Sequence, residues 1–142
     1  MKKMCSTVWN CVLAAAGFYK EDSKEYVDRM QSDGYEIYYP ECDELFIDID
    51  SNAAYSLFLM RFSRLVQEYP EAKVIYNQLS KSGEPRRHII VKMPFSLDIY
   101  TRIFCQAALG SDLVREKLSL FRADKGDKYP TLFADKEMPN GR

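Results

Sequence analysis

The amino-acid sequence predicts an α+β fold. It calls for a four-stranded antiparallel sheet in β-α-β-β-α-β order with two helices on one face, plus an N-terminal helical segment. Three observations carry this expectation. Glu44-Leu45-Phe46-Ile47-Asp48-Ile49-Asp50 and His88-Ile89-Ile90-Val91-Lys92-Met93 are short β-rich runs. Ala54, Leu57, Phe58, Phe62, Leu65, Val66 and Tyr69 recur at three- and four-residue steps, with Ser56, Ser63, Arg64 and Gln67 opposite them. Proline and glycine fall between these segments, at Pro40, Pro70, Gly83, Pro85, Pro94 and Gly110.

Taken in order, residues 4–17 can form a helix ending near Gly17. Residues 23–33 form another, with Ser23 as N-cap and Gly34 as the stop. Tyr35 to Tyr39 is β-prone, and Pro40 to Asp43 is a turn. The Leu45–Asp50 strand follows, and Ser51 or Asn52 caps a helix that Pro70 ends. Val74 to Leu79 is a strand, and Ser80-Lys81-Ser82-Gly83-Glu84-Pro85 is a loop by composition. His88 to Met93 is the next strand, closed by Pro94. Ser96 caps a helix through Leu109, stopped by Gly110. Ser111-Asp112 starts a short turn, and Lys117 to Arg122 is β-prone, with Leu118 and Leu120 alternating against Lys117, Ser119 and Phe121. The last twenty residues are polar, apart from Thr131-Leu132-Phe133.

A chain of 142 residues suits a single domain with a real core. Residues 1–34 are its helical N-terminal segment, 35–133 its core and 134–142 a tail. The net charge of −1 provides no global field toward nucleic acid or a membrane, so any polyanion site must be local. Cys5, Cys11, Cys42 and Cys105 contain no C-x-x-C pair, and one histidine cannot complete a familiar Cys/His zinc set. They read as reduced thiols of a cytoplasmic protein, with Cys105 in the core. Lys2 and Lys3 before Val12-Leu13-Ala14-Ala15-Ala16 faintly resemble a signal peptide. Ser6, Thr7 and Asn10 interrupt the apolar stretch, so a first helix is expected instead. No apolar run approaches the ~20 residues of a membrane-spanning helix.

Strand side chains alternate faces. Leu45, Ile47 and Ile49 therefore point to the helices, while Asp48 and Asp50 point away. His88, Ile90 and Lys92 share a face of the second run. With the first and third strands as central neighbours and the fourth beside the first, the open face would carry Asp48, Asp50, His88, Lys92 and Ser119. Carboxylate oxygens are hard ligands suited to Mg²⁺ or Mn²⁺, and a histidine and lysine opposite them suit phosphate. The alternative for Asp48-x-Asp50 is a plain solvent face. Residues 80–87, with Ser82, Arg86 and Arg87, are small, donor-rich and basic enough to cradle phosphate oxygens, and a surface loop would have the same composition. Arg115, Lys117, Arg122, Lys125 and Lys128 form either a solvated face or a nucleic-acid track. Tyr35, Tyr38 and Tyr39 could stack bases.

These residues, in this RRM-like order, resemble the archaeo-eukaryotic primase (primase-polymerase) superfamily. Ser80-Lys81-Ser82-Gly83 with Arg87-His88, then Gln106-Ala107-Ala108-Leu109-Gly110-Ser111-Asp112 and Arg115-Glu116, look like small primase-like proteins of phages and mobile elements. The similarity spans Tyr35 to Phe133, a primase-like core. Such proteins polymerise nucleotides on a DNA template. The resemblance implies that Asp48 and Asp50 are paired metal ligands and that His88, with Ser82 nearby, contacts nucleotide phosphates. Arg86, Arg87 and Lys92 would add charge there. The family's third motif puts an acid on the last strand, where this chain is expected to have Ser119. Two functions follow as expectations. One is a metal-dependent nucleotidyltransferase in phage or plasmid DNA replication, with Asp48, Asp50 and His88 as its catalytic residues. The other is an inactive primase-like module that binds nucleotide, nucleic acid, or a host or replication protein. A replication-initiator nickase would need two neighbouring histidines, and this chain has one.

Overall fold

The computed structural model describes residues 23–136. The 4–17 helix, Cys5, Cys11 and the end of the polar tail lie outside the described residues. The described part is α+β: four helices and two small antiparallel sheets. In chain order they are α1 (Ser23–Ser32), β1 (Glu36–Tyr38), β2 (Glu44–Ile49), α2 (Asn52–Glu68), β3 (Lys73–Leu79), β4 (Arg87–Lys92), α3 (Ile99–Ala108), α4 (Leu113–Asp124) and β5 (Phe133–Asp135). Among the described residues no helix is long and apolar enough to cross a membrane.

The three-stranded sheet runs β2-β4-β3, with β4 central. Its register pairs Asp48 with His88 and Phe46 with Ile90 across β2 and β4. Alternation divides the sheet's side chains between two apolar layers. Leu45, Ile47, Ile49, Ile89 and Val91 pack with Phe58 of α2 and with Leu109 and Cys105 at the end of α3. Both helices thus cover one face. Phe46, Ile90 and Tyr76 point the other way and pack with Tyr38 of β1 and Phe133 of β5.

That second layer corrects the expected open face. The β1-β5 ribbon pairs Glu36 with Asp135 and Tyr38 with Phe133, and it lies over the middle of the sheet. Phe46 and Ile90 are fully buried as a result. The unbroken apolar runs in β2 and β4 suit strands covered on both sides.

The local stops follow the sequence. Ser51 caps α2, its hydroxyl accepting from the Ala54 amide at 3.1 Å. Asp98, not Ser96, caps α3, accepting from the Thr101 amide at 2.9 Å. Gly110 ends α3 at φ +96°, where a Cβ would stand 2.9 Å from the Ala54 carbonyl oxygen.

The expected strand at Lys117–Arg122 is a correction. These residues belong to α4, capped by the Asp112 carboxylate. Its buried stripe is Glu116, Ser119 and Arg122, with Phe121 beside it. Those spacings are helical, but the stripe is mostly polar, so apolar periodicity does not mark it. Leu118 and Leu120 imitate a two-residue repeat over too short a run. Ser119 sits wholly buried in that helix, accepting from the Thr131 hydroxyl at 3.0 Å.

Among the described residues no fourth strand borders β2. Its outer edge is satisfied by side chains and a loop. The Phe46 amide donates to Gln106 Oε1 at 2.9 Å, the Asp48 amide donates to Ser111 Oγ at 3.0 Å, and the Asp112 amide donates to the Asp48 carbonyl at 2.8 Å. These three edge groups are paired, as buried backbone requires.

Candidate functional site

The β1-β5 ribbon covers the middle of the sheet and leaves the Asp48 end uncovered. There a cavity of about 360 Å³ opens, lined by Asp48, Asp50, Ser80, Lys81, Ser82, Arg86 and His88, with Tyr26, Asp112, Arg115 and Phe133 around them. Five of the seven residues expected at a nucleotide site therefore meet: Asp48, Asp50, Ser82, Arg86 and His88. The β3-β4 loop delivers the basic side. It turns on Gly83 at φ +74°, where the Gly83 amide donates to the Ser80 carbonyl at 2.9 Å and Arg86 returns the chain to β4.

Arg87 and Lys92 are not brought to this cavity. Arg87 neighbours His88 on β4, so alternation sends it to the helix-covered face. There its guanidinium lies 4.9 Å from the Tyr55 ring centre and donates to Asn77 Oδ1 at 3.2 Å. Lys92 shares the His88 face but stands four residues further along β4, about 13 Å at the usual strand rise. It is held there by Glu41 and Asp43, each at 2.8 Å. Ser119 is likewise remote in chemical terms, being enclosed in α4. The basic stretch does not form one track, because Arg115 lines the cavity and Arg122 is buried, while Lys117 and Lys125 are exposed. Tyr38 is core, and Tyr39 packs on Tyr129 with ring centres 4.5 Å apart.

His88 is the best-held group in the cavity. Its ring stacks on Phe133 with centres 4.1 Å apart and planes within 5°. Nδ1 lies 3.0 Å from both oxygens of Asp135, and Nε2 lies 3.7 Å from Asp48 Oδ1. The sequence does not single out Asp135, because the core it marks ends at Phe133. Its signal was slight: an acid two residues after the apolar Phe133, on the same face of a three-residue strand.

The acids differ in what they are free to do. Asp50 pairs with Arg86 at 2.8 Å, and both side chains are about half exposed, so solvent weakens that pair and leaves it exchangeable. Asp112 accepts from the Val114 and Arg115 amides at the start of α4. Asp48 is partly buried and its carboxylate faces the imidazole. Behind it, Glu116 is enclosed and takes hydrogen bonds from Ser111 Oγ at 2.9 Å and Gln106 Nε2 at 3.0 Å. Burial pushes the Glu116 carboxyl up to about 7, against the pull of those two bonds and of Arg115.

Among the described residues no group of three or more His, Cys, Asp or Glu side chains is arranged to hold a metal. Asp48 and Asp50 nevertheless open on the same cavity. Two carboxylates suit Mg²⁺ or Mn²⁺ when water and a ligand's phosphates supply the remaining oxygens. The donor set fits a cation carried in with a phosphate ligand, and not a self-sufficient protein cage. No family model matches the chain, no curated protein resembles it in sequence, and no solved structure matches its fold.

Proposed function

We propose that this chain is a primase-like, nucleotide-interacting protein that works with Mg²⁺ or Mn²⁺ and DNA. One observation carries the reading: Asp48 and His88 are direct partners across two strands, and the Ser80–Arg86 loop opens onto the same cavity. Lys81 and Arg86 would bind phosphate charge, and Ser82 would donate to phosphate oxygens. His88 would accept at Nε2 from a hydroxyl of the same ligand. Asp48 and Asp50 would hold the cation, whose contribution when bound is to neutralise the phosphates and act as a Lewis acid. Arg86 would exchange its exposed partner Asp50 for phosphate as the ligand arrives. The setting is phage or mobile-element DNA replication in a host cytoplasm. The test is incubation with Mn²⁺, labelled nucleotides and varied DNA templates. Template-dependent product that disappears in Asp48→Ala supports nucleotidyl transfer, and absence of product from the unaltered chain removes it.

A second reading is binding without turnover. It is favoured by the pairing of Asp50 with Arg86 and by the engagement of Asp135 with His88, which leave Asp48 as the freest acid. Calorimetry separates the two: nucleotide affinity without incorporation supports the binding module. If neither nucleotide nor DNA binds, a host or replication protein becomes the partner to seek.

A further inference from the structure

We propose that Asp135 is a positioning residue. Together with Tyr76 it fixes which nitrogen of His88 meets the ligand, and it is not itself a cation ligand. Phe133 and Asp135 are two residues apart on β5 and share a face. One covers the face of the His88 ring at 4.1 Å, and the other meets its edge at Nδ1, 3.0 Å away. The same short strand thus holds the ring in both tilt and rotation.

The Asp135 oxygens are already engaged. Both lie 3.0 Å from Nδ1, and Oδ2 also accepts from the Tyr76 hydroxyl at 2.9 Å. The carboxylate is buried, with its side chain only 7 % exposed. Tyr76 reaches it from β3, two pairs along from the Gln78–His88 pair and so on the same face of the sheet. Burial, then the charge of Asp135, pushes the Tyr76 hydroxyl far above its usual range, so it stays a donor.

The chemical consequence concerns the tautomer. A carboxylate accepts and does not donate, so Nδ1 carries the hydrogen. In the neutral ring the lone pair then sits on Nε2, which faces Asp48 at 3.7 Å and the cavity. Most of this holds for the protein by itself. It rests on the nucleotide-site reading only in what Nε2 meets.

The chain has a single histidine, so its ring nitrogens can be read without ambiguity in ¹⁵N-labelled protein. Long-range ¹H–¹⁵N correlation of the neutral ring should show hydrogen on Nδ1 in the unaltered chain. Asp135→Ala should shift it to Nε2 and weaken binding of a nucleoside triphosphate at least about tenfold, a usual cost of losing a carboxylate that orients a histidine. The Mn²⁺ concentration that the remaining nucleotide binding requires, read by calorimetry, should stay unchanged in that variant. Tyr76→Phe keeps the carboxylate, so its ring should keep hydrogen on Nδ1. Hydrogen on Nε2 in the unaltered chain or in Tyr76→Phe overturns the proposal, and both measurements stand even where Asp135→Ala does not fold. An unmoved tautomer, or a raised Mn²⁺ requirement, in Asp135→Ala also overturns it. A correct tautomer in a chain that binds no nucleotide sinks the nucleotide-site reading and leaves the positioning role standing.

Discussion

Gln106 of α3 accepts the Phe46 amide hydrogen of β2 at 2.9 Å, so one side chain takes the place of a neighbouring strand at that edge. Gln106 is fully buried, and its own amide donates to Glu116. Gln106→Leu keeps similar bulk but leaves the Phe46 amide and the Glu116 carboxyl short of partners. Buried groups left unpaired in this way should cost about 2–4 kcal/mol in total. Urea denaturation measures it, and a loss under about 1 kcal/mol would mean that another group serves the edge.

Glu116 makes stability depend on pH in a predictable direction. Its carboxyl is raised from the usual 4.5 to about 7, so between those values the folded chain holds a proton that the unfolded chain has released. Stability from this group is complete below about pH 4.5 and is lost as pH rises through about 7, amounting to about 3 kcal/mol over the window. Glu116→Gln keeps the shape and cannot ionise. It should flatten that part of the profile and be the more stable protein at pH 8. Parallel profiles for the two proteins from pH 5 to pH 8 would contradict the assignment.

Two glycines separate backbone strain from close packing. Gly83 and Gly110 both have positive φ, but only Gly110 has a neighbour, the Ala54 carbonyl oxygen, where a Cβ would go. Gly83→Ala should cost about 1 kcal/mol, the strain alone. Gly110→Ala should cost about 2–4 kcal/mol, because backbone on α2 must also move. Equal denaturation midpoints for the two variants would refute the packing argument.

Arg86 and Lys92 distinguish the cavity from the rest of the His88 face. The Arg86–Asp50 pair is half exposed, so Arg86→Ala should change stability by less than about 1 kcal/mol. Nucleotide affinity should still fall about tenfold, the loss of one charge-assisted contact. Lys92→Ala should leave affinity unchanged, since Glu41 and Asp43 hold that lysine at the far end of β4. Calorimetry with a nucleoside triphosphate and Mg²⁺ reads both, and the reverse ranking would return the site to the far end.

The sequence by itself determined the α+β class, α1, β1, β2, α2, β3, β4 and α3, and, through the usual order of such a unit, the pairing of the Asp48 face with His88. Those features depend on strand alternation, an apolar helical stripe and glycine or proline stops, all of which act over a few residues. Tertiary structure decided the rest. The segment that reads as a last strand is helical, because Glu116 and Ser119 find buried polar partners that local pattern cannot register. The ribbon of β1 and β5 joins residues about a hundred positions apart, and each strand is only three residues long. The β1 segment reads as β-prone and β5 only as part of a short apolar patch, and nothing local in either names its partner. Only when Tyr38 and Phe133 close over Phe46 and Ile90 is the sheet's second face covered, and only then does Asp135 arrive at the edge of the histidine ring.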